Sequence, residues 1–287
     1  MQIAVVGSSG YIAGFFIKKL AQENICTRIL RIGHSKTADR QLDLKNAKIF
    51  DYDILCGIDY VIFTAAISGP DKCATDFDEC WSINVTGTIY FIQEALKRKC
   101  KVLFFSSDAV FGDKRREVYD EFSCLDATTP YGRMKKEVEI HFKKEKGFKA
   151  VRLSYVASAK DKFISYCLGC MKDGQVADVF HPFYRNVITV SDVVIAVLWM
   201  IKHWDGFSNQ ILCLAGRELV SRVRIADELN QIYDNRLHYT ISKPKESFYQ
   251  NRPCITQMRS RFLYKNNILE EKSFSEKLKE QMEEIVL

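Results

Sequence analysis

Gln2-Ile-Ala-Val-Val-Gly7-Ser-Ser-Gly10-Tyr-Ile-Ala13-Gly14 follows directly on Met1. An apolar run of strand length breaks at a glycine turn and resumes with helical spacing, so the stretch reads as strand, loop and helix. Glycines let a backbone turn tightly and approach a ligand, and a helix N-terminus offers N–H donors and a dipole that favours an anion. The spacing Gly-x-x-Gly-x-x-Ala/Gly differs from the usual dinucleotide fingerprint. Its place at the head of the chain nonetheless makes Gly7, Ser9, Gly10, Tyr11 and Ile12 the expected cradle of a pyrophosphate. Gly10 is expected to need either a positive φ or close approach to phosphate.

Working outward, apolar runs alternate with helix-period segments, the signature of βαβ units around a parallel sheet. Strands are expected near Ile3–Val6, Arg28–Ile32, Tyr60–Thr64, Val102–Ser106, Ala150–Ser154 and Ile211–Ala215. The clearest helices are Ile12–Glu23, Phe77–Arg98, Tyr131–Lys146, Asp161–Lys172, Ser191–His203 and Ser221–Tyr233. Beyond about residue 240 the pattern loosens around Pro244 and Pro253, then closes with an amphipathic helix at Phe274–Ile285, as a smaller appended lobe would.

With 287 residues, 47% hydrophobic and 27% charged, the chain can build a sizeable core. Its net charge of +6 is mild and does not imply nucleic acid. Residues 222–265 are the most basic stretch, with nine Lys/Arg against four Asp/Glu, and suit an anionic ligand. The ten cysteines are scattered in apolar contexts, which points to reduced thiols and a cytoplasmic location. Cys167 and Cys170 form the one close pair, and no second pair or His lies at metal spacing, so no metal site is expected. The N-terminus lacks a basic leader and no apolar run approaches the roughly 20 residues that span a bilayer, so no membrane partner is expected and the sequon Asn84-Val-Thr86 should be unused.

An NAD site places an acid about 20 residues after the loop, on the ribose 2′-OH. No Asp or Glu occurs between Glu23 and Asp39. Arg31 and Lys36 stand there instead and are suited to a 2′-phosphate, so NADPH is the expected cofactor, with NADH the alternative. Asp43, beside Leu44, sits where a loop can reach an adenine amino group.

The expected strand Val102–Ser106 runs into Ser107, and 24 residues after Ser107 comes Tyr131-Gly-Arg-Met-Lys135. Residues four apart share a helical face. An ammonium beside a phenol favours the phenolate, so Lys135 is expected to make Tyr131 a better proton shuttle, while Ser107 orients the substrate oxygen. Ser106 is a substitute for Ser107 on this reading.

The chain here resembles the extended short-chain dehydrogenase/reductases, the NAD-dependent epimerase/dehydratase superfamily, and within it the dTDP-4-dehydrorhamnose reductase family. Ala65-Ala66, Asp71-Lys72 and Ile83-Asn84 are similar to that family's cofactor-side segment, and Ser106-Ser-Asp-Ala-Val-Phe111 to its strand end. Glu121 with Tyr131-Gly-x-x-Lys135, Arg152-Leu-Ser-Tyr-Val156 and Arg252-Pro253 complete the resemblance, which covers nearly the whole chain. Ala109, Tyr155 and Gln257-Met-Arg-Ser260 depart from the family's pattern.

The resemblance implies an α/β fold, a Rossmann-type doubly wound parallel sheet with a smaller C-terminal substrate-binding lobe. Residues 1–154, completed by about 186–215, would hold NAD(P); 155–185 and 216–287 would hold the substrate. It implies Ser107, Tyr131 and Lys135 as catalytic residues, and Ala65 and Ala66 with Tyr131 and Lys135 on the cofactor. Asp108, Tyr155, Arg185 and Arg252 would meet a nucleotide-diphosphate sugar, the arginines its pyrophosphate. The activity implied is NADPH-dependent reduction of a nucleotide-activated 4-keto-6-deoxy sugar, compatible with a homodimer. The alternatives are a sugar-nucleotide epimerase that retains NAD and a non-catalytic binding subunit of the same fold, against which the intact Ser107, Tyr131 and Lys135 set argues.

Overall fold

The computed structural model describes residues 1–23, 26–113 and 117–283. The chain divides into two compact units. Unit 1 comprises Met1–Gly112, Cys124–Arg152 and Met200–Leu212, and unit 2 comprises Asp113–Ser123, Leu153–Trp199 and Cys213–Leu287.

Unit 1 is built on a seven-stranded parallel sheet. Its strands are β1 (Gln2–Val6), β2 (Arg28–Gly33), β3 (Arg40–Gln41), β4 (Tyr60–Phe63), β5 (Lys101–Ser107), β7 (Phe148–Leu153) and β12 (Ile211–Leu214), in the order β12-β7-β5-β4-β1-β2-β3. Central strands covered on both faces read as unbroken apolar runs, and Ile3, Val5, Val61, Phe63, Val102 and Phe104 are all wholly buried. Val6 lies opposite Ile32 on one side and Phe63 on the other. The strand order therefore reverses about β1 and β4, and ligands of such sheets bind at the carboxyl ends beside that switch point.

Helix α1 (Tyr11–Gln22) follows β1. The helix expected at 77–98 is preceded by α2 (Pro70–Thr75) and divides into α3 (Phe77–Trp81), a π-helical turn at Ser82–Gly87 and α4 (Thr88–Lys97). The wide turn contains Asn84, whose buried side-chain amide accepts from Ile67 N (2.8 Å) and donates to Ile67 O (2.9 Å). Helix α5 (Pro130–His141) ends before the expected Lys146, because Gln210 Nε2 takes the carbonyls of Phe142 and Glu145, both at 3.0 Å.

Unit 2 has short strands that carry no sequence periodicity. They are β6 (Val118–Tyr119), β8 (Val156–Ala157), β9 (Ala177–Phe180), β10 (Tyr184–Asn186), β11 (Ile188–Thr189), β13 (Leu219–Ser221), β14 (Tyr239–Ser242) and β15 (Ile255–Met258). They form a four-stranded sheet, β13-β10-β15-β6, and the pairs β11-β8 and β14-β9. The helices are α6 (Lys162–Asp173), α7 (Val190–Lys202), α8 (Arg222–Ile232), α9 (Glu246–Gln250) and α10 (Phe274–Met282). Ile285, the expected end of the last helix, lies outside the described residues. Cys167 and Cys170 are buried in this unit's core with Met171 and Leu229, and burial pushes the Cys167 thiol up to about 12.

Residues 113–123, assigned from sequence to the cofactor domain, cluster with unit 2 instead. The buried Glu121 carboxylate accepts from Cys213 N (2.9 Å), Ser260 Oγ (2.5 Å) and Arg261 N (3.0 Å), which ties it to two stretches of the Cys213–Leu287 segment of unit 2. Residues 186–199 also cluster with unit 2, since β10 and β11 pair with its other strands.

Candidate functional site

In unit 1 the glycine loop leaves β1 at the switch point. Gly7 has φ +85°, and a Cβ there would come within 2.6 Å of Ala65 N and 2.8 Å of Thr64 Oγ1. Gly7, not Gly10, is thus the residue that needs the left-handed region. Gly10 has φ −66°, so the positive φ allowed for it from sequence is absent. Gly10 N donates to Gly7 O at 2.9 Å, and Gly10 opens α1 with no side-chain cap. Ser9 and Gly10 are exposed, Tyr11 and Ile12 half-buried. A helix start with exposed glycine backbone and no capping oxygen is suited to phosphate.

On β2, Arg31 is clasped by Asp39, which sequence reading took only as the end of an acid-free stretch. Its Nη2 lies 2.6 Å from Oδ1, its Nε 3.2 and 3.3 Å from the carboxylate oxygens, and its backbone N donates to Oδ2 at 2.9 Å. The guanidinium holds the Asp39 carboxyl below its ordinary value. Lys36 is exposed on the intervening turn. Asp43 caps a short 3₁₀ turn, accepting from Lys45 N (3.0 Å) and Asn46 Nδ2 (2.8 Å), while Leu44 is buried. Ala65 and Ala66, half-buried, lie on the loop that Asn84 secures through Ile67.

Strand β5 delivers Ser107 half-buried, and its Oγ accepts from Ala109 N and donates to Asp108 Oδ1, both at 3.2 Å. Ser106 points elsewhere. Its hydroxyl is buried and donates to the Glu139 carboxylate, so it is no substitute for Ser107. Thr129 Oγ1 caps α5 by accepting from Gly132 N at 3.2 Å, and Pro130 fits the first helical position. Gly132 lets the helix approach the strand end, since a Cβ there would lie 2.1 Å from Ala109 O. The arrangement brings Ser107, Asp108, Tyr131 and Lys135 to one end of β5.

Lys135 is held by the neighbouring strand. Its buried Nζ donates to Phe105 O at 2.7 Å and lies 4.4 Å from the Phe104 ring centroid against 5.8 Å from that of Tyr131. Burial lowers the Lys135 ammonium to about 7. Burial also raises the Tyr131 phenol, with the Cys73 thiol and Asp108 opposing its ionisation further. Tyr131 thus keeps its proton at neutral pH.

Because Lys135 loses its proton near 7 in the folded chain and near 10.5 when unfolded, the unfolded chain binds more protons between those values. Stability therefore rises with pH from about 7 toward 10.5, and the full cost of charging Lys135 is present below 7. The melting temperature of the wild type, taken relative to Lys135→Met, is expected to climb over that window. A difference that does not vary with pH would show Lys135 charged throughout.

Sequence reasoning missed Glu139 and gave Arg152, quoted only within a motif, no role of its own. Arg152 Nη2 lies 2.7 Å from Glu139 Oε2, with side chains 5% and 3% exposed. The signal was present, since Tyr131, Lys135 and Glu139 recur every four residues on one face of α5. Cys73, which packs with Tyr131, gave no comparable pattern; Asn84 was noted only within the Ile83-Asn84 segment, without its hold on the Ala65 loop.

Of the residues expected on the substrate, Asp108 stands beside Ser107 in unit 1, and Tyr155, Arg185 and Arg252 lie in unit 2. Tyr155 OH donates to Asp161 Oδ2, whose carboxylate also caps α6. Arg185 is buried and spends its donors on the carbonyls of Tyr184 (2.6 Å), Pro253 (2.7 Å) and Cys254 (3.4 Å). Arg252 is half-buried, with Nη1 donating to Phe248 O at 2.8 Å. Among the described residues no group of three or more His, Cys, Asp or Glu could hold a metal ion, and no helix is long and apolar enough to cross a membrane.

The pattern of the NAD dependent epimerase/dehydratase family matches residues 3–215. A UDP-glucose 4-epimerase of Lacticaseibacillus casei is 28% identical over 200 residues, 63% of this chain and 56% of that protein. The chain spans about half the length of the relatives it matches in sequence. A dTDP-4-dehydrorhamnose reductase ortholog of Clostridium acetobutylicum superposes with a TM-score of 0.84 at 20% identity, covering 99% of both chains. The dTDP-4-dehydrorhamnose reductase of Bacillus anthracis, solved with NADP, gives 0.83 at 19% identity, again over 99% of both. At these identities the likeness is one of fold.

Proposed function

The chain belongs to the NAD dependent epimerase/dehydratase family, and from that premise we propose that it reduces a nucleotide-activated 4-keto-6-deoxy sugar with NADPH. The observation that carries the reading is the gathering of Ser107, Tyr131 and Lys135 at the end of β5, two strands from the Gly7 loop. The exposed, uncapped start of α1 fits a dinucleotide pyrophosphate, and Arg31 with Lys36 fits a 2′-phosphate. When bound, the nicotinamide supplies hydride. Ser107 orients the carbonyl by its hydroxyl, and Tyr131 protonates the oxygen as charge develops there. Lys135, fixed on the Phe105 carbonyl, stands below Tyr131 on the same face of α5.

A phenol that burial keeps protonated favours reduction, in which tyrosine acts first as an acid. The epimerase of Lacticaseibacillus casei keeps the second reading in view; there Tyr131 must first accept a proton. Incubation with a panel of nucleotide 4-keto sugars, following NADPH oxidation, separates the two. Interconversion of a sugar nucleotide without net consumption of reduced cofactor would establish the epimerase.

Cofactor preference supplies a further check. Asp39 engages Nε and Nη2 of Arg31, which fixes the guanidinium while Nη1 remains for a phosphate. Arg31→Ala is expected to weaken NADPH binding by about 1.5–3 kcal/mol, the range of a charge-assisted contact, and to leave NADH nearly unchanged. Calorimetric titration giving equal losses for the two cofactors would remove Arg31 from the 2′-phosphate.

A further inference from the structure

Three guanidiniums crowd two phenylalanine rings in unit 2. Arg185 lies 4.3 Å and Arg222 4.9 Å from the Phe183 centroid, and Arg252 lies 4.5 Å and Arg222 5.6 Å from that of Phe248. Arg222 also stands 4.9 Å from the Phe163 ring and 5.9 Å from that of Phe180. Four aromatic rings thus surround one cation at distances where the ring quadrupole attracts it.

The three arginines differ in how their donors are used. Arg185 is tied to backbone carbonyls and Arg252 reaches the Phe248 carbonyl. No hydrogen bond or ion pair joins the Arg222 side chain to any described residue, and its Nε is sealed from solvent without an acceptor. Arg217, Arg224 and Arg261 of the same unit each pair with a carboxylate. The nearby acid, Asp161, is already occupied by Tyr155 OH and two backbone N–H groups, and burial works against the charge of Arg222. A half-buried guanidinium with unspent donors and a sealed Nε, beside two like charges, is unfavourable alone and favourable against an oxyanion.

We propose that Arg222 is the anion-recognition residue of unit 2, gripping a phosphate or carboxylate oxyanion of the nucleotide-sugar substrate beside Arg252, while Arg185 holds the Phe183 side of the box. This rests on the function proposed above. It moves the main anion contact away from Arg185, whose donors are spent, to a residue at the first position of α8.

Binding of UDP, dTDP, UDP-glucose, UDP-glucuronate and inorganic pyrophosphate is measured for the wild type, Arg222→Met and Arg222→Lys. Arg222→Met is expected to lose about 10- to 100-fold in affinity for the nucleoside diphosphates, and Arg222→Lys less, because it keeps the charge and loses the planar fork. A loss confined to UDP-glucuronate assigns the oxyanion to the sugar carboxylate and supports the same residue. Wild-type affinities in Arg222→Met, with an unchanged circular dichroism spectrum, would overturn the proposal while leaving the reductase intact. Arg222-dependent binding of pyrophosphate, with no turnover anywhere in the keto-sugar panel, would uphold it and overturn the reductase.

Discussion

Tyr131→Phe is expected to lower turnover on the true keto-sugar by at least roughly 100-fold, because a positioned general acid contributes about 100- to 10,000-fold. Cofactor affinity should change little, since the phenol hydroxyl is the only atom removed. The expectation rests on the capped start of α5, where Thr129 and Pro130 fix the helix and Gly132 lets it close on Ala109 O. Steady-state kinetics with NADPH at saturation give the test. Near-normal turnover would assign the proton to another group, and Asp108, bonded to Ser107, is the next to replace.

Glu139→Ala should cost about 3–5 kcal/mol of stability, the range for leaving a buried charge without its partner. Arg152 donates to the Glu139 carboxylate from Nε (3.1 Å) and Nη2 (2.7 Å), Ser106 donates to it as well, and both charged side chains are almost wholly buried. The melting temperature is expected to fall by roughly 10 °C. Replacing the pair together, Glu139→Leu with Arg152→Met, should restore much of the loss, because no charge is then stranded. A double variant no better than the single one would show that the pair holds the fold by geometry rather than by charge balance.

Six strands of the central sheet, four to seven residues long, were legible because strands buried on both faces carry unbroken apolar runs. Strand β3 and those of unit 2 span only two to four residues and carry no such run. Helix existence was legible and helix ends were not: the stop at His141 depends on Gln210, far along the chain. At the site, residue types and spacing pointed to Ser107, Tyr131 and Lys135, but not to electrostatics. Side chains four apart share a face, yet the Phe105 carbonyl captures the ammonium, and burial, invisible in a spacing, moves the phenol the other way. The same holds for Arg31, whose partner Asp39 arrives by a turn rather than by periodicity.

The chain passes between its two units at residues 112/113, 123/124, 152/153, 199/200 and 212/213. On a ribosome, unit 1 therefore cannot be completed when its first 152 residues have emerged. Its edge strand β7 waits for the segment that begins β12, roughly 10–40 s into synthesis at about 5–20 residues per second. Until then an apolar strand edge stands open to other nascent chains. Chaperone capture in that interval, and failure of a product halted near residue 152 to stay in solution, follow from this interleaving.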